Sequence, residues 1–159
     1  MILVAACLAG MNCNYKGESS PNERVMELVR RGKAIYICPE QAGGLPTPRS
    51  GARIIEGDGN DVLDYNSKVI SDGRRDFTRE FRRGAEETWR TADRFGIKIA
   101  ILKQRSPSCG CGYIQGGKYK RMLTKGNGVT TAYLIRRGIK VLSEESLNDE
   151  DIWRELLTA

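Results

Sequence analysis

Short apolar runs alternate with longer amphipathic segments along most of the chain. The apolar runs predict four buried strands, over residues 2–6, 34–37, 97–102 and 139–142. Helical spacing of apolar residues predicts helices over about 21–31, 78–95, 126–138 and 147–157. This alternation is typical of an α/β fold, and we expect a mainly parallel sheet flanked by helices.

Two segments rich in glycine, proline and serine interrupt this pattern. Residues 39–69 are predicted to form a long loop with a short hairpin, and residues 103–112, with the sequence KQRSPSCGCG, a second loop. Loops of this length inside a small domain usually carry function.

The chain has 159 residues, so we expect one domain over 1–159. No window reaches the roughly 18 apolar residues that a membrane span needs. The apolar start lacks the basic residues of a secretory leader, and we expect a cytoplasmic protein with no membrane partner.

The charge is unevenly distributed. Residues 1–142 hold 25 of the 26 lysines and arginines but 14 of the 20 acidic residues. A basic body of this kind fits an anionic or nucleic-acid partner, because phosphate contacts are mainly electrostatic. The competing interpretation is a solvated face on the helix at 78–95, where arginines alternate with carboxylates.

The sequence contains no histidine, which excludes Ser-His-Asp catalysis, Cys-His catalysis and histidine metal ligands. It contains five cysteines. An odd number without a secretory leader favours metal binding or catalysis over a disulfide framework.

Three of these cysteines follow predicted strands: Cys7, Cys38 and Cys109. Carboxyl ends of parallel strands lie along one edge of a sheet, so we expect the three thiols to converge there. A single cysteine in such a position is often only small buried filler, but three are harder to explain in that way.

Thiolate-only sites favour zinc or iron-sulfur clusters. The closely spaced cysteine pairs of structural zinc sites are absent here. Three ligands would leave one iron of a 4Fe-4S cluster without a protein ligand, free to act as a Lewis acid. A structural zinc or nucleic-acid-binding module that uses Cys13 and Cys111 as extra ligands stays open as an alternative.

Polar residues lie close to these cysteines in the sequence. Glu40 could act as a general acid or base in a partly dry pocket, or could be an ordinary surface carboxylate. Ser106 and Ser108 could bind substrate or a cluster sulfur, or could simply cap the turn. Arg49 could bind a substrate or pair with an acidic neighbour, and Gly110 could admit a ligand or serve a turn.

Several blocks together resemble the thiouracil desulfidase family over about the first 145 residues, with 146–159 as an additional C-terminal helix. They are ACLAGMNCNYKG, CPEQAGGLPTPR, DFT, LKQRSPSCG, GNGVTTAYL and GIKVLSEE, in this order.

The resemblance implies a Rossmann-like α/β fold and a 4Fe-4S cluster with three cysteine ligands, which match Cys7, Cys38 and Cys109. It also implies non-redox removal of sulfur from thiouracil-type bases. The thiocarbonyl sulfur would bind the open iron, water activated by the residue matching Glu40 would attack the carbon, and Ser106 would assist. Substrate contacts are expected from Ser108, Arg49 and Gly110.

The chain departs from the family pattern in places. The usual C-R-Y-D-G is here Cys13-Asn14-Tyr15-Lys16-Gly17, and the usual D-V-T is D-F-T. We therefore expect a desulfidase for thiouracil-type bases or related small thiocarbonyl compounds. Sulfur handling on thiolated tRNA, suggested by the basic body, is a rival function.

Overall fold

The computed structural model describes all residues 1–159. Its strands are β1 (Ile2–Ala5), β2 (Ala34–Ile37), β3 (Ala52–Ile54), β4 (Val69–Ser71), β5 (Ile99–Leu102), β6 (Cys111–Gly116), β7 (Met122–Asn127) and β8 (Lys140–Ser143). Its α-helices are α1 (Glu23–Arg30), α2 (Pro39–Ala42), α3 (Gly59–Leu63), α4 (Thr78–Arg94), α5 (Val129–Arg136) and α6 (Glu150–Thr158). Two 3-10 turns cover Ala6–Ala9 and Glu144–Asn148.

The four apolar runs form one parallel sheet in the order β2-β1-β5-β8. Strand β1 lies inside this sheet and is buried along its whole length, as a run without polar alternation predicts. Its Leu3 and Val4 join Ile101 and Leu102 of β5 in the larger hydrophobic core. The predicted α/β fold with a mainly parallel sheet flanked by helices is confirmed.

A second, mixed sheet has the order β4-β3-β6-β7 and was not predicted. The expected loop over 39–69 contains α2, β3, α3 and β4, and the expected hairpin is an antiparallel β3–β4 pair separated by α3. Strands β3 and β4 have three residues each, too few to show a period of two. A smaller core with Ile54, Val69, Phe81 and Ile114 fixes this sheet.

Helix ends follow local chemistry. The Asn22 side chain accepts hydrogen bonds from the N–H groups of Arg24 and Val25, so α1 begins one residue later, at Glu23. Helix α5 begins at Val129 rather than at the predicted residue 126, because β7 pairs with β6 as far as Asn127. The longest helix, α4, has 17 residues, and none of the helices is long and apolar enough to cross a membrane.

Candidate functional site

The ends of three parallel strands open into one cavity of about 230 Å³. Cys7 lies in the turn after β1, Cys38 directly after β2, and Cys109 in the loop after β5; all three line this cavity. The expected convergence of the three thiols is therefore present in the structure.

Four cysteines line the cavity, Cys7, Cys13, Cys38 and Cys109, and none of them is in a disulfide. Burial raises the pKa of Cys109 well above its ordinary value, and the neighbouring Ser108 hydroxyl opposes this only in part. The neighbouring Cys13 thiol and burial likewise raise the pKa of Cys38. Cys38 and Cys109 therefore carry protons at neutral pH in the absence of metal, and binding a metal centre there must release them.

Cys13 is the fourth of these thiols, and sequence reasoning gave it no firm role. It is 4% exposed and lies against Cys7 and Cys38. Its hydrogen bond with Cys38 lowers its pKa, but that with Cys7 and burial outweigh this and raise the pKa to about 11. Its backbone carbonyl accepts a hydrogen bond from the Arg49 guanidinium at 3.0 Å.

Cys111 lies apart from the cavity. It begins β6, and its Sγ donates to the Val141 carbonyl at 3.7 Å. This position opposes the alternative in which Cys13 and Cys111 together complete a zinc site.

Glu40 reaches the cavity from the short helix α2, directly after Cys38 and Pro39. Its two carboxylate oxygens have different partners: Oε1 accepts from Arg49 Nε at 3.0 Å, and Oε2 accepts from Ser108 Oγ at 2.8 Å. Its side chain is 15% exposed. The carboxylate is thus fixed in orientation and still open to the cavity.

Close packing against α4 sets the position of α2. A Cβ on Gly84 would lie 2.0 Å from the Pro39 carbonyl oxygen, and one on Gly43 would lie 1.9 Å from the Glu80 carbonyl oxygen. Only glycine allows the two backbones to approach this closely. The pair Gly43 and Gly84 therefore holds Glu40 at the cavity.

Two serines continue the hydrogen bonds from Glu40. Ser106 Oγ lies 2.9 Å from Ser108 Oγ and accepts from the N–H groups of Ser108 and Cys109 at 3.2 and 3.1 Å. An ionised carboxylate can only accept, so Ser108 donates to Glu40 and Ser106 donates to Ser108. The chain Ser106–Ser108–Glu40 is thus aligned for proton movement along it.

Two residues expected to contact substrate have other surroundings. Gly110 does not line the cavity; a Cβ there would lie 2.2 Å from the Tyr113 carbonyl oxygen, so its close approach is to the protein's own backbone. The Arg49 side chain does line the cavity but is only 3% exposed and is bonded to Glu40.

The second sheet supplies a further wall of the cavity. Ala52 of β3, Gln115 of β6 and Arg121 line it, together with Asn14 and Tyr15. The Arg121 guanidinium lies 5.1 Å from the centre of the Tyr15 ring and 3.2 Å from Asp72.

Sequence reasoning missed Gln115 and Arg121, because β6, which carries Gln115, and β7, which Arg121 directly precedes, were not predicted. The only signals available were the basic run around Arg121 and the place of Tyr15 inside a family block. Lys16, at another departure from the family pattern, does not line the cavity, whereas Asn14 does.

Comparisons with known proteins identify the family of this chain. The profile of the 2-thiouracil desulfurase family matches residues 2–146. The uncharacterized protein YbbK of Bacillus subtilis (strain 168) is 42% identical over 149 residues, 94% of this chain and 99% of that protein. The solved structure of the 4Fe-4S-dependent thiouracil desulfidase TudS is 39% identical with a TM-score of 0.83, and the match covers 98% of this chain and 97% of that one. This chain belongs to the 2-thiouracil desulfurase family.

Proposed function

We propose that this protein is an iron-sulfur-dependent desulfidase that converts 2-thiouracil, or a closely related small thiocarbonyl compound, to the oxo compound and sulfide. The observation that carries the proposal is one cavity that holds Cys7, Cys38 and Cys109 beside the fixed carboxylate of Glu40. The family and the similarity to a desulfidase support the choice of reaction.

The donor set fits a 4Fe-4S cluster. Thiols from separate loops line the cavity, and the chain contains no histidine. A donor set of thiols alone suits an iron-sulfur cluster. We assign Cys7, Cys38 and Cys109 as the three ligands. When bound, such a cluster supplies an iron without a protein ligand, which can act as a Lewis acid toward a thiocarbonyl sulfur.

The chain's own residues handle the water and its protons. Glu40 accepts a proton from the water that attacks the thiocarbonyl carbon, and the bond from carbon to sulfur breaks. Oxygen from water replaces sulfur, and the two protons of that water leave with the sulfide. No electrons are gained or lost overall. The Ser106–Ser108 chain carries protons between Glu40 and the cavity.

Glu40→Gln tests the role of the carboxylate. The amide keeps the shape of the side chain but cannot accept a proton from water. Anaerobically purified protein with this change should retain its iron and release no sulfide from 2-thiouracil, whereas wild-type protein releases it. Undiminished turnover by the variant would remove Glu40 from the mechanism.

Separate alanine variants of Cys7, Cys38, Cys109 and Cys13 test the ligand set. Iron and acid-labile sulfide per protein, measured after anaerobic reconstitution, should fall for the first three and stay unchanged for Cys13→Ala. Loss of iron in Cys13→Ala with retention in one of the others would reassign that ligand.

The choice of substrate separates this proposal from the rival function. Sulfide release only from thiolated RNA, and not from the free base, would favour the tRNA function instead.

A further inference from the structure

The geometry points to Arg49 as a positioning residue that orients Glu40 and holds Cys38 and the Cys13 loop, rather than as a substrate contact. This inference rests on the proposed function. The observation behind it is the set of partners that the guanidinium's hydrogen-bond donors have within the protein.

All five N–H donors of Arg49 have partners within the protein. Nε donates to Glu40 Oε1 at 3.0 Å. Nη1 donates to the Pro46 carbonyl at 3.2 Å and to Thr47 Oγ1 at 3.1 Å. Nη2 donates to the Cys13 carbonyl at 3.0 Å and lies 3.9 Å from Cys38 Sγ. No donor is left for a substrate.

The hydrogen bonds of Arg49 are strengthened by burial. The Arg49 side chain is 3% exposed and Glu40 is 15% exposed, so the ion pair is largely shielded from water. The planar guanidinium is hydrogen-bonded on every side and so has one available orientation. Its bond to Glu40 therefore fixes the orientation of that carboxylate. Ser108 fixes the second carboxylate oxygen, so Arg49 and Ser108 together determine where the carboxylate points.

The same guanidinium joins the catalytic carboxylate to the thiol site. It bonds the Cys13 loop and faces the sulfur of Cys38, which we assign as a ligand. Hydrogen bonds to a ligating sulfur stabilise the reduced form of an iron-sulfur cluster and raise its reduction potential. Loss of the fork should therefore change both the rate of the chemical step and the potential of the cluster.

Lysine cannot replace this fork, because it has three donors on one nitrogen and no planar geometry. In Arg49→Lys we expect kcat for sulfide release from 2-thiouracil to fall at least tenfold, with KM within about threefold of wild type, and the reduction potential to fall. A raised KM with unchanged kcat would make Arg49 a substrate contact and overturn the inference. Unchanged kcat and potential would also overturn it.

Arg53→Lys is the matched control. Arg53 is 7% exposed, and its guanidinium bonds only the backbone carbonyls of Gly117, Ser71 and Lys118. It does not line the cavity. The same exchange there should leave kcat and the potential as in wild type, whatever it does to stability.

A measurement on metal-free protein keeps the inference testable if Arg49→Lys binds no iron. Alkylation of Cys13 and Cys38, followed by peptide mass spectrometry under anaerobic conditions, should be several-fold faster in Arg49→Lys than in Arg53→Lys. Equal rates would overturn the inference. If Arg49→Lys does not fold, Thr47→Val, which removes one acceptor of Nη1, should give a smaller fall in kcat with KM unchanged. A wild-type kcat in that variant would count against the inference.

These outcomes separate the inference from the proposed function. Wild-type protein that releases no sulfide from any thiobase would refute the function, while the alkylation rates would still report on Arg49. Active wild-type protein with an unaffected Arg49→Lys variant would refute only the inference.

Discussion

Replacing Ser108 by alanine gives a direct test of the hydrogen-bond chain at Glu40. Ser108 is 2% exposed, and its hydroxyl donates to Glu40 Oε2 at 2.8 Å. Alanine removes this donor and also removes the acceptor of Ser106, without adding any group that could clash. The change therefore acts on proton handling with little disturbance of packing.

The size of the effect follows from the charge of the acceptor. A hydrogen bond to a charged group contributes about 1.5–3 kcal/mol. If that whole contribution is lost in the transition state alone, kcat falls by about tenfold to about 150-fold, since each 1.36 kcal/mol is about a factor of ten. Leaving buried polar groups unpaired should also lower the free energy of unfolding by about 1–3 kcal/mol.

The assay is sulfide release at saturating 2-thiouracil, with iron per protein measured on the same anaerobic sample. Ser67→Ala is the matched control, because Ser67 is a buried serine that lies outside the cavity and whose hydroxyl has no hydrogen-bond partner. It should keep wild-type kcat. Turnover by Ser108→Ala within twofold of wild type, at equal iron content, would refute the proton chain.

Two further predictions concern stability. The pKa of Cys13 is raised from 9.0 to about 11, so the folded metal-free protein holds a proton that the unfolded chain releases in this range. Its free energy of unfolding should thus be unaffected below pH 9 and should fall by about 1.4 kcal/mol per pH unit for this thiol from about pH 9 to 11. Anaerobic urea unfolding with a phosphine reductant measures this, and a Cys13→Ser variant with the same slope would contradict it. Gly84→Ala should lower both stability and kcat, because the new Cβ would meet the Pro39 carbonyl oxygen at 2.0 Å and displace α2; a gain of about 1 kcal/mol, as in an exposed helix, would refute the close approach.

The first sheet could be predicted because its signal is local. Strands β1, β2 and β5 are short continuous apolar runs. Strands β1 and β5 also lie in the middle of the sheet, where both faces are covered and a continuous apolar run is expected. The second sheet could not be predicted, because β3 and β4 are short and β7 carries exposed Met122 and Leu123 beside polar residues. Its order depends on pairing between segments distant in sequence, such as Ile54 with Gly116.

The candidate site, too, could be predicted from the sequence only in part. The meeting of Cys7, Cys38 and Cys109 in one cavity follows from strand ends and parallel topology, which a sequence can indicate. The hydrogen-bond partners of the site residues could not be predicted from the sequence, because they depend on the directions of side chains that come from different loops. The bond from Arg49 to the Cys13 carbonyl spans 36 residues, and that from Ser108 to Glu40 spans 68.

The cavity therefore combines two parts of the fold with different roles. The parallel sheet delivers the thiols and the loop of Ser106, while Glu40 follows β2 on α2. A further part of the lining comes from the second sheet, through Ala52 and Gln115, and from Arg121 directly before β7. Changes in that part of the lining alter the shape and charge that a substrate meets without touching a thiol. For this reason we expect substrate preference within this fold to vary with the second sheet and with the loop of Asn14 and Tyr15, while the thiols and Glu40 stay in place.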